Sequence, residues 1–161
     1  MAGILNLKPD KDPAQFWQEY GARYGETVLS YHLGRYLSGW PEHEAPLWGL
    51  LIATSGGFRF HHFPQEGWIQ FFTRSSGGGE PPKEKTIFIP VDRIVSVELA
   101  AEKSLWKRIF LSHPPIFTVR YRTMGETGPQ TEADLRLETE AKAEAVAQSL
   151  RSLITAQSAT G

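Results

Sequence analysis

The sequence predicts a mainly β fold with helices at both ends (β+α), on three observations. Between residues 27 and 139, short segments rich in aromatic and β-branched residues alternate with turn formers at the spacing of a meander or barrel. Before Gly25, four large aromatics recur at three- and four-residue steps, and after Glu140 an apolar stripe returns with helical period. A chain of 161 residues is long enough for one domain whose core needs no covalent staples.

The first element opens at Asp12-Pro13-Ala14-Gln15, where a carboxylate can cap free amides, proline suits the first turn and Gln15 can reach back as in a capping box. Gly25 offers the stop. Phe16, Trp17, Tyr20 and Tyr24 then share one helical face, despite the propensity cost of Gly21. Such a stripe must bury itself, against this chain's own sheet or against a partner. Strands are expected near residues 27–37, 48–54, 58–63, 68–73, 86–89, 94–99, 109–111, 116–122 and 134–139. The clearest alternation sets Phe117, Val119 and Tyr121 on one face against Thr118, Arg120 and Arg122 on the other, the pattern of a sheet with one wet side. Ser55-Gly56-Gly57 supplies a tight turn, whereas residues 75–82, with three consecutive glycines, read as a long loop. From Glu140 to Gln157, Ala143, Val146, Ala147, Leu150, Leu153 and Ile154 form the apolar face of a helix, with Glu140, Glu144 and a late Arg151 placed to suit its dipole. Residues 158–161 read as a frayed tail.

Composition removes several function classes. Without cysteine there is no disulfide scaffold, thiolate zinc site, iron–sulfur cluster or cysteine nucleophile. A net charge of -1 gives no global field to gather nucleic acid or anionic membrane, so no nucleic-acid partner is expected and a membrane would need a local basic patch. The first residues lack a secretion signal and no apolar run reaches the roughly 20 residues of a membrane-spanning helix, which points to a cytoplasmic protein.

Two stretches carry a resemblance. Leu50-Leu51-Ile52-Ala53-Thr54-Ser55-Gly56-Gly57-Phe58-Arg59-Phe60 is an apolar strand ending at Thr, a turn, and an aromatic–basic–aromatic strand; Ile89-Pro90-Val91-Asp92-Arg93-Ile94-Val95-Ser96-Val97-Glu98 is a proline step into another strand. Both, followed by one terminal amphipathic helix, resemble the pleckstrin-homology-like (PH-like) superfold of bacterial and GRAM type. The resemblance implies a barrel of two near-orthogonal antiparallel sheets capped by the C-terminal helix over residues 26–157, with residues 1–25 as a helical addition. It also implies a domain that binds rather than catalyses. Many members of that superfold hold phosphoinositides through basic residues between the first two strands, but here Ser38-Gly39-Trp40-Pro41-Glu42-His43-Glu44-Ala45-Pro46 carries two glutamates and no Lys or Arg. Carboxylates repel phosphate, so no selective phosphoinositide binding is expected.

Catalytic signals are weak. His61 and His62 adjoin on a strand and point to opposite faces, so they cannot share one ion, and His43-Glu44 lacks the H-E-x-x-H spacing; no metal or other cofactor is expected. No G-x-S-x-G elbow, phosphate-cradling loop or dinucleotide fingerprint is present. Lys103, Lys107, Arg108, Arg120 and Arg122 form a basic stretch answered by the acidic residues between Glu126 and Glu144; cross-strand pairing would neutralise Arg120 and Arg122. The expectation is therefore a non-enzymatic binding or scaffolding module with a protein partner of unknown identity and an unknown oligomeric state. Its candidate interaction residues are Phe16, Trp17, Tyr20 and Tyr24 on the helix and Lys103, Trp106, Lys107 and Arg108 in a basic-aromatic loop. Alternatives are weak peripheral membrane association through that loop, or a small apolar-ligand carrier or enzyme with a β-barrel cavity.

Overall fold

The computed structural model describes residues 13–41, 47–62, 85–100, 114–123 and 128–161. Helix α1 (Pro13–Tyr24) precedes strands β1 (Val28–Ser38), β2 (Leu47–Thr54), β3 (Gly57–His62), β4 (Lys85–Pro90), β5 (Ile94–Ala100), β6 (Ile116–Thr123) and β7 (Thr131–Glu138). A 3-10 turn (Val91–Arg93) links β4 to β5, another (Ala141–Ala143) follows β7, and helix α2 (Glu144–Thr160) ends the chain. The strands make one seven-stranded sheet in the order β4-β3-β2-β1-β7-β6-β5, antiparallel at every pairing described. The mainly β architecture with a helix at each end agrees with the sequence. The expected strands at 68–73 and 109–111 and the loop at 75–82 lie outside the described residues.

Strand β1 is the centre of this sheet. It pairs with β2 along nearly its whole length, but with β7 only from Arg35 to Ser38. The sheet curls so that its two ends share one core: the Phe58 ring of β3 stacks on Phe117 of β6, with centroids 5.7 Å apart. Tyr36, Leu51, Phe60, Ile87, Ile89, Val119, Leu135 and Leu137 fill the space between, and Val146, Ala147 and Leu150 of α2 close it. Leu153 and Ile154 pack at its margin, so the stripe read in the sequence does face the β core. Val97 of β5 also receives α2 through its carbonyl, to which the Arg151 guanidinium donates at 3.0 Å.

Several boundaries differ. The 3-10 turn occupies the expected helix start, and α2 runs through Thr160 rather than ending at Gln157. No breaker precedes Gly161, and the Ser158 and Thr160 hydroxyls donate back along the helix to the carbonyls of Ile154 and Ala156. Arg151 is therefore mid-helix, where it also pairs with Glu144 at 2.6 Å, rather than at a terminal dipole. Strand β7 starts at Thr131, three residues before the expected Asp134, because Thr123 and Thr131 extend the β6 ladder through a hydroxyl pair at 2.6 Å.

Helix α1 ends as expected at Gly25, whose φ of 66° allows the 6→1 and 5→2 closure of a Schellman motif: the Glu26 amide donates to Gly21 at 2.9 Å and the Gly25 amide to Ala22 at 3.3 Å. This explains the glycine inside α1, because a Cβ at Gly21 would collide with the carbonyl of Glu26 as the chain doubles back. Gln15 donates to Glu19 at 3.3 Å, and the expected cap at Asp12 lies outside the described residues.

Candidate functional site

Because opposed residues of an antiparallel pair share a face, the register defines the outer side of the β1–β4 half. One row runs Tyr31, Ile52, Arg59, Phe88; the next runs Leu33, Leu50, His61, Thr86; and Arg35 lies opposite Trp48. Helix α1 is seated on these rows. Trp17 stacks on Tyr31 with ring centroids 4.0 Å apart. Tyr20, fully buried, meets the buried His61 through its hydroxyl and Nδ1 at 3.3 Å, and burial raises its phenol above the usual range. Tyr24 lies 3.9 Å over the Arg59 guanidinium, whose other face is 3.9 Å from Phe88. Phe16 touches Trp17 and Tyr20. The aromatic stripe read in the sequence is thus laid on this chain's own sheet.

The seat is locked by a buried ion pair. Arg59 donates to both Glu26 oxygens, at 3.0 and 2.8 Å, and Thr54 donates to the same carboxylate at 2.6 Å. Burial alone would raise the Glu26 carboxyl; the hydrogen bonds from Arg59 and Thr54 and the guanidinium charge outweigh it and hold the carboxyl below the usual range. The turn read at Ser55-Gly56-Gly57 joins the lock: Ser55 Oγ accepts from the Thr27 amide and the Ser55 amide donates to Thr27, both at 2.9 Å. These bonds hold α1 and the start of β1 to the β2–β3 hairpin.

Beyond the edge of α1 the same face is open and apolar. Leu29, Tyr31, Leu33 and Trp48 are 46%, 47%, 50% and 44% exposed. The alternate residues of β1 point inward: the Ser30 hydroxyl donates to Ser149 of α2 at 2.9 Å, and a Cβ on Gly34 would strike the core side chain of Leu51. From Leu29 to Gly34, strand β1 therefore turns polar and small residues towards the core and large apolar residues towards solvent. The border of the open area is Arg35, which bonds Glu138 at 2.9 Å and lies 5.9 Å over Trp48. On the β6–β7 half the outer face is ionic instead. Arg120 makes two bonds to Asp134 at 2.9 and 3.2 Å, which lowers that carboxyl, so the expected cross-strand neutralisation occurs at this pair.

Lys103, Trp106, Lys107 and Arg108 lie outside the described residues, as do Glu42, His43 and Glu44. Among the described residues, no three His, Cys, Asp or Glu are grouped to hold a metal ion, and no helix is long and apolar enough to cross a membrane. An open groove of about 360 Å³ runs between α1 and the start of β1, lined by Ala14, Trp17, Gln18, Gly21, Glu26, Thr27 and Val28. Sequence reasoning found the α1 aromatics but missed Leu29, Leu33 and Trp48; the pairing of small residues at Gly34 and Gly49, opposite each other in register, is the signal that marks the close-packed inner face.

No family model and no curated protein matches this chain. Among solved structures, the crystal structure of the C-terminal domain of an unknown protein from Leishmania infantum is similar, with a TM-score of 0.46 and 12% identity over 88% of this chain and 96% of that one.

Proposed function

We propose that the chain is a non-enzymatic PH-like module that binds protein through the outer face of β1 and β2. The strand order supports the PH-like reading: one curled antiparallel sheet in which the first strand neighbours the last, closed by a C-terminal helix. The observation that carries the binding reading is the cluster of Leu29, Tyr31, Leu33 and Trp48, four large apolar side chains about half exposed on one face of the domain. Fully burying such a side chain is worth about 1.5–3 kcal/mol, so covering the exposed halves of four would contribute roughly 3–6 kcal/mol. That is enough for an anchor cluster but not for an entire interface, given the cost of association. The aromatic anchor at Trp48 and the Arg35 beside it match the residue types that dominate such clusters.

Among the described residues of this half, Glu26, Arg59, Tyr20 and His61 take part in holding α1, and the open part of the face is apolar. Its chemistry is therefore recognition by shape and apolar contact. The test is affinity capture from source lysate with the wild type and with the Leu33→Glu/Trp48→Glu variant, quantified by mass spectrometry. Proteins captured by the wild type and lost by the variant are the expected result; identical capture by both contradicts the assignment of this face.

A further inference from the structure

We propose that α1 is an acid-released strap: a proton on His61 lifts the helix off the sheet as a unit while the domain beneath it stays folded. The first support is that α1 has no share in the core. Among the described residues, Tyr20 and Ile52 are the buried apolar side chains that lie outside the core cluster, which α2 closes from the other face. Together with the buried Arg59 and His61 they form a separate small cluster between α1 and the outer rows of β2 and β3. A satellite of this kind opens at lower free energy than the core it lies on.

The second support is where the fastenings fall. Gly25, at φ 66°, ends the helix, and the chain is pinned just beyond it: Glu26 by Arg59 and Thr54, Thr27 by Ser55. The ion pair therefore fixes the hinge, while the body of α1 meets the sheet through the rings of Trp17, Tyr20 and Tyr24. The third support is the charge around His61. Its ring is fully buried, edge-on to Tyr20 with centroids 5.8 Å apart. The residues opposite it on β2 and β4 are the neutral Leu50 and Thr86, and Leu33 of β1 lies in the same row. Burial keeps the Tyr20 phenol above its usual range, so α1 sets a neutral hydroxyl against the imidazole. The cations nearby are Arg59, two positions along the same face of β3, and Arg23, whose guanidinium is 5.6 Å from the Tyr24 ring. The carboxylate of this cluster, Glu26, is already bonded to Arg59 and Thr54 and stays ionised in mild acid because its carboxyl is held below the usual range. A proton on His61 thus brings another cation into a seat closed to water, and lifting α1 hydrates it. Release uncovers Tyr31, Ile52, Arg59 and Phe88, an apolar row with one cation in it.

Hydrogen exchange read by mass spectrometry on the full chain, between about pH 8 and about pH 5 and corrected for the intrinsic pH dependence of exchange, follows the opening segment by segment. An exposed imidazole takes up its proton near about pH 6.5, so protection of α1 should be constant above that value and fall by up to about tenfold per pH unit below it. Protection of β6, β7 and α2 should not change. His61→Phe and His61→Gln fill the site without a basic nitrogen and should make the protection of α1 independent of pH; either variant serves while β6 and α2 stay protected. In the wild type, the His61 ring resonance followed by NMR should titrate together with the opening of α1. Wild-type α1 protection that ignores pH overturns the inference, as does joint loss of protection from α1 and α2. So does a folded variant that keeps the wild-type pH dependence, or a His61 ring that titrates while α1 stays closed.

Discussion

Replacing Glu26 by Gln removes one charge from the lock beneath α1 while keeping its shape. The carboxylate and guanidinium side chains of the pair are 13% and 8% exposed, and Arg59 has no other carboxylate among the bonds described. Breaking a buried pair from one side costs about 3–5 kcal/mol, because the remaining charge stays buried and uncompensated. Two terms reduce this. Gln still offers one neutral acceptor, and the rings of Tyr24 and Phe88 continue to hold the cation, a contact worth up to about 2 kcal/mol each when desolvated. A loss of about 3 kcal/mol is therefore expected from urea denaturation at neutral pH. Removing both charges, as Glu26→Gln/Arg59→Met, should recover much of it, since an apolar chain between two rings satisfies the site without a stranded charge. The pH dependence follows from the lowered folded-state pKa of Glu26. A depressed carboxyl contributes stability that is fully present above its unfolded pKa of about 4.3 and is lost as pH falls through the folded value. The gap between wild type and Glu26→Gln should thus be constant from neutral pH to about pH 5 and close as the solution is made more acid. A Glu26→Gln protein as stable as wild type, or a gap that widens in acid, would refute the lock.

Three further outcomes follow from the packing. Leu150→Ala opens a cavity at a fully buried position between α2 and the sheet and should cost about 2–5 kcal/mol in the same assay. Gly57→Ala puts a Cβ at φ 147°, against the carbonyl of Ile89, and should destabilise by more than about 1 kcal/mol, whereas a neutral result would show that β3 and β4 can separate there. Asp134→Asn breaks an ion pair that is exposed on both sides, and the urea midpoint should stay within the scatter of the wild type.

Periodicity made the fold legible. The two-residue alternation of Phe117, Val119 and Tyr121 and the helical spacing of Val146, Leu150, Leu153 and Ile154 each report a face directly, and each occupies the core or its margin. The open face was not legible, although its pattern is as regular. Leu29, Tyr31 and Leu33 alternate with Ser30, His32 and Gly34, which tells that the two sides of β1 differ but not which one α2 covers. That choice depends on long-range packing: Gly34 makes room for Leu51, and Ser30 bonds a helix that begins more than a hundred residues later. The Glu26–Arg59 lock was hidden for the same reason. Arg59 was visible as the basic residue between Phe58 and Phe60, yet its partner is 33 positions away and is brought to it only by the turn of α1 at Gly25.

The central claim, that the outer face of β1 and β2 is where protein partners dock, is tested most directly by placing a photo-cross-linking phenylalanine analogue at Trp48 and, in a separate protein, at Arg120 on the ionic half of the same outer surface. Both side chains are exposed, so neither replacement disturbs the core. Irradiation in cells of the source organism should give discrete cross-linked protein bands from position 48 and none from position 120. Bands from position 120 alone, or none from either position, would contradict the account.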